Sequence, residues 1–414
     1  MGNSGSSSSA TDPRFGSASR AFTHKGLEDL RSLFDSLAAK SQSNGNYVSP
    51  PVLKAYIGID GPLGDRVFYL VSQKRRDQKL TFEDLVIAKG TYEKGTNDDI
   101  DEFIYQILDV SDDGIVGRSD LEAVLTTMLD NIFHKSYSSE PKAGSCQEIM
   151  EAFIPDVNST NDEMSFEDFR KWCASLPSIR KFLCCLLMPF DSGSQIPQLL
   201  REDHIDPSLI LLRKEYAWHI GGALPQYELE EWKLLYHSTV HGLSFSTFFG
   251  NIPDDGPTLL IIKDKEGYIY GGYASQPWER HGDFFGDMKS FLFQLHPKAS
   301  IFRPTGANNN IQWCAANFSS DSIPNGIGFG GRANHFGLFI SASFDQGQTF
   351  SCNTFGSPCL SKTSRVYPEV IECWGVIPRR ADQDRPEVLK GTVLERYKED
   401  RHMLNMVGIA NSSE

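Results

Sequence analysis

The spacing of hydrophobic residues changes along the chain and divides it into two regions. Between about residues 26 and 180, apolar residues recur every three to four positions, as the leucines do in the segment GLEDLRSLFDSLA. This period places them on one helix face, so we expect short helices separated by polar loops. From about residue 257 the apolar runs are shorter, rich in aromatic and branched residues, and separated by turn residues, which favours antiparallel strands. The pattern therefore predicts an α+β protein in which a helical region precedes a two-layer β domain.

The segments between these two regions also have a helical pattern. Residues 181–223 are predicted to be a helical connector. The segment PQYELEEWKLLYHS follows, and Pro225 is compatible with a first helical turn. Leu229, Trp232 and either Leu235 or Tyr236 then fall on one face, which predicts a helix here.

Further elements are predicted near the C-terminus. The segment TLLIIKDKEGYIYGGYA predicts a β-hairpin whose turn lies at residues 264–267. After Pro386, apolar residues recur at helical spacing and form one face beside charged residues. We expect a C-terminal helix over residues 385–410, which either packs on the body of the protein or binds a partner.

The first 22 residues are rich in Gly and Ser and contain almost no apolar anchors, so residues 1–22 are expected to be a disordered arm. The arm begins MGNSGS, which places Gly2 and Ser6 where the N-myristoylation pattern requires them. The alternative is a chance match in a Gly/Ser-rich tail. One acyl chain gives only marginal, reversible membrane attachment, and few basic residues follow, so a second membrane signal would have to come from a protein partner.

The helical region contains a short ending that recurs. It is LTFEDL from Leu80, VGRSDL from Val116 and MSFEDF from Met164. Each begins with an apolar residue, has an acid four positions later and continues with an apolar residue. EF-hand loops end in this way, with an apolar residue at position 8, an acidic ligand at position 12 and then the exiting helix.

One of these loops, DVSDDGIVGRSD, has the ligands that a divalent cation needs. Gly114 stands at position 6, where the loop turns sharply, and helical patterns flank the loop on both sides. Position 12 is Asp120, one methylene shorter than the usual Glu, so calcium should bind more weakly and magnesium is an alternative. The other reading is a solvated acidic loop that holds no metal. The expected ligands are Asp109, Ser111, Asp113, the Ile115 carbonyl, a water held at Gly117, and Asp120.

The remaining loops of this kind lack such ligands. Residues 41–51 contain no carboxylate, and the loop before Met164 has Val157 at position 1. The loop before Leu80 begins at Gln73 and continues with three basic residues, which would repel a cation. We therefore expect a degenerate EF-hand-like pair over residues 26–95 and a second pair, with one metal-binding loop, over residues 96–180.

Composition excludes several classes of function. The net charge of -14 argues against a nucleic-acid partner, because phosphate binding needs a basic surface. No apolar run approaches the roughly 20 residues of a membrane span, and no apolar leader begins the chain. The 8 cysteines form no C-x-x-C motif and indicate reduced thiols in a cytoplasmic protein.

The strongest apparent enzyme signature is the segment PNGIGFGGRANHFGLFI. Gly326, Gly328 and Gly331 match the G-x-G-x-x-G pattern of dinucleotide-binding loops. That function requires a strand before the glycines and a helix after them, whereas a proline-containing turn precedes this motif and a strand pattern follows it. The glycines are therefore interpreted as a structural turn with positive φ angles and close chain packing, and a nucleotide-dependent oxidoreductase remains a minor alternative.

Other enzyme and metal motifs are missing. The sequence contains no G-x-S-x-G, P-loop or H-E-x-x-H motif. His237 and His241 are four residues apart, but no third zinc ligand lies near them in the sequence. No catalytic or cofactor-binding residue is assigned.

Several segments of the β region resemble the TLDc domain. They are LLYHSTVHGLSFSTFFGNI, GPTLLIIKDKEGYIYGGYAS, SFLFQL, IPNGIGFGGRANHFGLFI and VIECWGV, in this order over residues 224–376. The wider arrangement of an N-terminal Gly2 arm, EF-hand-like helices, a TLDc domain and a C-terminal helix is similar to the lysosomal, mTOR-associated group of TLDc proteins.

The resemblance implies a β-sandwich flanked by helices and no established catalytic activity. It also implies a role in oxidative-stress resistance, binding to peripheral subunits of the vacuolar proton-pumping ATPase, and signalling with components of the TOR pathway. The resulting prediction is a non-enzymatic, calcium-responsive adaptor in the cytoplasm, attached peripherally to the vacuolar or lysosomal membrane. The alternative is a soluble calcium-binding signalling adaptor without a pump partner.

Overall fold

The computed structural model describes residues 12–41, 45–134, 145–155, 163–188, 196–252, 256–320 and 322–378. These residues group into two compact units. The first contains the described residues within Met1–Glu140, Asp156–Lys171 and Lys181–Phe190, and the second those within Pro141–Pro155, Trp172–Arg180 and Asp191–Glu414. Helices and strands segregate along the chain as the hydrophobic pattern predicts, which confirms the α+β class.

Most helices precede the strands. The helices in the described ranges are α1 (Pro13–Ser19), α2 (His24–Lys40), α3 (Pro50–Ile57), α4 (Gly61–Val71), α5 (Phe82–Lys94), α6 (Asn97–Leu108), α7 (Arg118–Leu129), α8 (Ser145–Phe153), α9 (Phe166–Ser175), α10 (Pro177–Cys184), α11 (Lys214–Gly221), α12 (Ser238–His241) and α13 (Phe245–Asn251).

The strands form two sheets. They are β1 (Gln198–Leu200), β2 (Glu231–His237), β3 (Thr258–Asp264), β4 (Ile269–Ala274), β5 (Phe291–His296), β6 (Ser300–Phe302), β7 (Gln312–Ala315), β8 (Gly326–Arg332), β9 (His335–Ser341), β10 (Gly347–Gln348), β11 (Arg365–Val366) and β12 (Pro368–Ile377). One sheet has the order β1-β2-β12-β3-β4-β5-β6 and the other β11-β10-β9-β8-β7. Neighbouring strands are antiparallel except for β1 and β2, which are parallel.

Helix α2 follows from its sequence pattern. Its buried residues include Leu30, Phe34 and Leu37, which recur at helical spacing. The Thr23 hydroxyl accepts a hydrogen bond from the amide of Gly26 and caps the first turn. The predicted helix is therefore confirmed.

Helix α1 corrects the expected disordered arm at residues 13–19, which are helical, whereas the disorder expected over residues 1–11 lies outside the described residues. The Asp12 side chain accepts a hydrogen bond from the Arg14 amide. Pro13 occupies the first turn, where a backbone N–H has no acceptor within the helix, so its missing N–H costs no hydrogen bond. The ring of Phe15 meets that of Phe82 edge to face, with centroids 6.3 Å apart. A few contacts onto α5 thus order a segment whose composition alone predicts disorder.

The loops between the helices of the first unit contact each other in pairs. Val48 and Leu80 form an antiparallel bridge in which each amide donates to the other's carbonyl, at 2.9 and 3.0 Å. Gly117 and Glu163 form a second antiparallel bridge. Each bridge joins two EF-hand-like loops, including the loop with the candidate metal ligands.

Helix α8 groups with the second unit, although the sequence pattern places it in the second EF-hand-like pair. The Lys298 ammonium donates to the carbonyls of Glu151 and Ile154, at 3.2 and 2.9 Å. The Ala299 amide donates to the carbonyl of Ala152 at 2.8 Å. These bonds connect the end of α8 to residues of the second unit. The expected boundary at residue 180 is therefore not the boundary between the two compact units.

The core of the second unit lies between the two sheets. Leu260 and Ile262 of β3 belong to one buried cluster with Phe329 of β8 and Leu338 and Ile340 of β9. Strands β3 and β4 pair in register from Thr258 to Lys263, which confirms the predicted hairpin. The two-layer β domain is thus present as expected.

The predicted helix after Pro225 is wrong, because residues 231–237 form the strand β2. In β2 the buried side chains alternate, with Trp232, Leu234 and Tyr236 buried and Lys233 exposed. The same segment also has apolar residues at helical spacing, and its pairing with β12 and β1 decides in favour of the strand. The expected helical connector likewise contains a strand, β1, ahead of helix α11.

Two expected features lie outside the described residues. They are the modification at Gly2 and the C-terminal helix over residues 385–410. Within the described ranges, no helix combines the length and hydropathy required to cross a bilayer.

Candidate metal-binding loop and glycine-rich hairpin

The candidate metal loop connects α6 to α7. Helix α6 ends at Leu108 and α7 begins at Arg118, and both helices bury apolar residues beside the loop. The Thr96 hydroxyl and the Asp99 carboxylate form a reciprocal capping box at the start of α6. The sequence-predicted helix–loop–helix arrangement is therefore present.

Asp109 organises the first half of the loop. Its Oδ1 accepts hydrogen bonds from the Asp113 amide at 3.2 Å and from the Ser111 hydroxyl at 3.4 Å. Its Oδ2 accepts one from the amide of Gly114 at 3.2 Å. Gly114 has φ of +85°, a conformation that glycine adopts without steric cost, and this allows the chain to turn around the carboxylate.

Asp120 organises the second half. Its Oδ1 accepts from the Ser111 amide and its Oδ2 from the Gly117 amide, both at 3.0 Å. The second bond caps the N-terminus of α7. The Asp113 carboxylate accepts from the Ile115 amide at 2.9 Å. All three loop carboxylates that were expected to bind metal therefore accept hydrogen bonds from the loop backbone.

Arg66 of α4 also reaches this loop, and the sequence pattern did not indicate it. Its Nη2 donates to Asp109 Oδ2 at 3.0 Å, its Nη1 pairs with Asp112, and its Nε donates to the Gln106 carbonyl at 2.8 Å. The Arg66 side chain is only 5% exposed. A buried guanidinium thus bonds the carboxylate at position 1 of the loop.

The donor types of the loop fit calcium, whereas their arrangement is not that of a metal cluster. Carboxylate, hydroxyl and carbonyl oxygens are the ligands that calcium prefers. Across the described ranges, however, no three His, Cys, Asp or Glu side chains gather as a potential metal site. The Arg66 guanidinium supplies positive charge at Asp109 in this arrangement.

In the loop before Leu80 an arginine also pairs with an acidic residue. Arg75, at position 3 of that loop, donates through Nη1 to Asp84 Oδ1 at 3.0 Å. Asp84 stands at position 12 and is buried. A guanidinium thus neutralises the one buried carboxylate of a loop in which no metal ligands were expected.

The recurring ending that suggested EF-hand loops is also a helix-capping motif. Thr81 and Asp84 form a capping box at α5, in which the Asp84 amide donates to the Thr81 hydroxyl and the Thr81 amide to the Asp84 carboxylate. Ser165 and Asp168 form the same reciprocal bonds at α9. The T/S-x-x-D spacing therefore stabilises helix starts even where no metal ligands accompany it.

The glycine motif lies on a β-hairpin. Gly326, Gly328 and Gly331 belong to β8, which pairs with β9 in antiparallel register from Gly326–Ser341 to Arg332–His335. The turn between the strands lies at Ala333 and Asn334. No helix follows the glycines, so the arrangement is not that of a dinucleotide-binding loop.

The structure also corrects the interpretation of these glycines as a turn, since they lie within the strand. Gly330 shows why a side chain is excluded. Its φ is +67°, and a Cβ atom there would lie 2.7 Å from the sulfur of Cys352 and from the Phe355 ring. The positive φ angle and close packing expected inside the sandwich are thus present at Gly330, but in a strand and not in a turn.

His237 and His241 bond to the backbone. The His237 amide donates to His241 Nδ1 at 3.0 Å, and His237 Nε2 lies 3.1 Å from the Leu209 carbonyl oxygen. The His237 side chain is completely buried. The bond between the His237 amide and the His241 ring is local and accounts for the four-residue spacing.

Glu372 is a buried acid that sequence reasoning did not select. Its carboxylate, on β12, accepts hydrogen bonds from the amides of Leu211 and Leu212 and from Trp374 Nε1. Burial raises the pKa of Glu372 to about 7, although these three donors oppose the shift. Glu372 thereby attaches the segment before α11 to the larger sheet.

Residues 206–377 match the TLDc domain family. The match begins before Leu224, the expected boundary, and it includes α11 and the Leu211–Leu212 amides that bond Glu372. The added segment is therefore attached to the sandwich by buried hydrogen bonds.

Curated relatives match different shares of the chain. MTOR-associated protein MEAK7 of Xenopus laevis is 35% identical over 209 residues, covering 49% of this chain and 44% of that protein. The Gallus gallus protein of the same name is 25% identical over 453 residues, covering 93% and 92%. Oxidation resistance protein 1 of Rattus norvegicus is 30% identical over 179 residues, covering 43% and 20%.

The chain spans about half the length of the first curated relatives, 44% for the Xenopus laevis and 55% for the Mus musculus MEAK7. A solved structure of a PP2A PR70 holoenzyme covers 36% of this chain and 55% of that chain at 16% identity, with a TM-score of 0.27, which supports no inference. Residues 206–377 form a TLDc domain, and the chain is a homologue of the TLDc proteins named MTOR-associated protein MEAK7 and oxidation resistance protein 1.

Proposed function

We propose that the chain is a non-enzymatic regulatory adaptor whose TLDc domain docks on a partner assembly. The observation that carries this proposal is the TLDc match over residues 206–377 together with relatives named for mTOR association and oxidation resistance. The hairpin geometry of the G-x-G-x-x-G segment removes the motif that had suggested an oxidoreductase. The adaptor therefore acts by binding, in TOR-pathway signalling or in resistance to oxidative stress.

The partner we propose is the peripheral part of the vacuolar proton-pumping ATPase. The support is the resemblance of the TLDc segments to proteins that bind this pump. Because fold alone does not establish a partner, the proposal requires a direct binding test. The site of action would be the cytoplasmic face of the vacuolar or lysosomal membrane.

Calcium is the proposed regulator of this docking. The support is the donor set of the loop from Asp109 to Asp120, whose oxygen donors are of the types that calcium prefers. Myristoylation at Gly2 is the proposed membrane anchor. A weak lipid anchor and a protein contact reinforce each other because binding at one raises the effective concentration at the other.

The deciding experiment is affinity purification of the full chain from native membranes, once with calcium and once with a chelator. We expect pump subunits to co-purify, in amounts that differ between the two conditions. A variant with Asp109→Ala and Asp120→Ala should remove the difference while retaining the TLDc domain. Absence of pump subunits in both conditions would contradict the pump proposal and favour a soluble calcium-binding adaptor.

Two further variants test the attachment points separately. Gly2→Ala should reduce the membrane-bound fraction in sedimentation, and an unchanged fraction would count against the lipid anchor. Deletion of the residues after Pro386 should weaken pump binding if the predicted C-terminal helix docks. Full binding without those residues would leave the TLDc domain as the docking element.

A further inference from the structure

We infer that Arg66 is a built-in counter-cation of the loop from Asp109 to Asp120 and that it lowers the affinity of this loop for calcium. The inference rests on the proposed calcium function of the loop and goes beyond it, because it assigns an affinity-setting role to a residue outside the loop.

The position of Arg66 is fixed from outside the loop. The residue lies on α4, within a largely buried stretch of that helix. Its Nε donates to the Gln106 carbonyl, one of the carbonyls in the last turn of α6. These contacts aim the guanidinium at the point where α6 ends and the loop begins.

The guanidinium of Arg66 supplies the positive charge beside Asp109 that a bound cation would otherwise supply. Arg66 Nη2 lies 3.0 Å from Asp109 Oδ2, and the two side chains are only 5% and 10% exposed. A divalent cation bound to Asp109 would face this charge at short range, with little water to screen it. The guanidinium therefore has to leave Asp109, or the metal has to bind against its repulsion.

Asp112 offers the displaced guanidinium a second partner. It pairs with Arg66 Nη1, its side chain is 54% exposed, and it stands at position 4 of the loop, which supplies no ligand in EF-hand loops. Removing a buried charge from its only partner is costly, so a second carboxylate makes displacement less unfavourable. Arg66 thus weakens calcium binding without abolishing it.

The loop before Leu80 supplies an internal comparison. There the Arg75 guanidinium pairs with Asp84, and no carboxylate stands at position 1, which is Gln73. That loop has a counter-cation without a metal-ligand set. Arg75 therefore provides a matched control, an arginine paired with a loop carboxylate whose removal should not create a calcium site.

The test is calorimetric titration of calcium into the full chain and into Arg66→Met, Arg66→Lys and Arg75→Met. We expect Arg66→Met to bind calcium about tenfold more tightly or better, because the charge at Asp109 is gone. Arg66→Lys keeps the charge and should stay near the parent affinity, and Arg75→Met should match the parent. If Arg66→Met does not fold, Arg66→Gln carries the same test, since its amide can still donate to the Gln106 carbonyl.

Each outcome separates this inference from the calcium proposal. If both proteins bind calcium and Arg66→Met binds it more tightly, the inference is supported. If Arg66→Met binds calcium and the parent does not, the inference is still supported, but calcium regulation of the natural chain is contradicted. Equal affinity in parent and Arg66→Met overturns the inference and leaves the calcium proposal standing. No calcium binding in either protein overturns both.

Discussion

His237 Nε2 lies 3.7 Å from Glu372 Oε1 inside the larger sheet, and both side chains are completely buried. Burial raises the pKa of Glu372 to about 7 and lowers the pKa of His237. Both shifts favour the neutral form of the side chain, and burial is the largest cause of each, so the two groups do not behave as an ion pair.

The first prediction concerns the pH dependence of stability at Glu372. Because its folded pKa of about 7 exceeds the value of 4.5 taken for the free side chain, the folded state holds the proton more tightly. The resulting stability is fully present below pH 4.5 and is lost as the pH rises through 7, with a slope of up to about 1.4 kcal/mol per pH unit. Glu372→Gln cannot ionise and lacks this slope.

Urea denaturation between pH 4 and pH 8 checks this prediction. The difference in unfolding free energy between the parent and Glu372→Gln should shift in favour of Gln as the pH rises, and then level off. His237→Gln is the control with the opposite sign, since a lowered histidine pKa contributes stability that is lost as the pH falls below 6.5. If the difference in unfolding free energy between the parent and Glu372→Gln does not change with pH, the prediction that Glu372 titrates with a raised pKa is wrong.

Some elements followed from the sequence because one pattern dominated. In α2, apolar residues recur only at helical spacing, and the helix forms as predicted. In β2, Trp232 fits both a helical face with Leu229 and a strand face with Leu234 and Tyr236, and pairing with β12 decides between them. Local periodicity cannot contain that information, since β12 lies more than 130 residues away in the sequence.

The candidate site was predictable only in part for the same reason. The loop from Asp109 to Asp120 is contiguous, so its ligand types and its flanking helices could be read directly. Arg66 is 43 positions from Asp109 and reaches it through the packing of α4 beside α6. Glu372 is 161 positions from Leu211, so its neighbouring residues cannot indicate the two backbone amides, of Leu211 and Leu212, that bond it.

The second prediction concerns Gly330. Replacing it with Ala combines a left-handed φ of +67° with a Cβ that would lie 2.7 Å from the Cys352 sulfur. We expect Gly330→Ala to destabilise the protein by about 2–4 kcal/mol, from backbone strain together with overpacking. Urea denaturation measures the change.

Gly306 separates the two contributions to that loss. Its φ is +80°, but nothing lies within 4 Å of a Cβ built there. Gly306→Ala should therefore cost only the backbone term, about 1–2 kcal/mol. Equal losses at Gly306 and Gly330 would show that packing against Cys352 contributes nothing.

The third prediction concerns the docking of α1. This helix has 7 residues, too few to be stable alone, and Phe15 provides an edge-to-face contact with Phe82. Phe15→Ala should remove about 0.5–1.5 kcal/mol and increase amide hydrogen exchange over residues 13–19. Ser17→Ala, at an exposed position of the same helix, should leave the exchange unchanged. Unaltered protection in Phe15→Ala would mean that other contacts hold the helix.

The fourth prediction concerns the length of the side chain at position 12. Asp120 Oδ2 caps α7 through the Gly117 amide, and Glu is a favoured residue at this capping position, so Asp120→Glu should preserve the helix start. The added methylene allows bidentate calcium binding, so calorimetry should show tighter calcium binding and a greater preference for calcium over magnesium. Asp168→Glu is the matched control, because it lengthens the equivalent acid in the loop that has Val157 at position 1 and should leave the isotherm unchanged. Identical isotherms for the parent and Asp120→Glu would show that the carboxylate at position 12 acts as a helix cap alone.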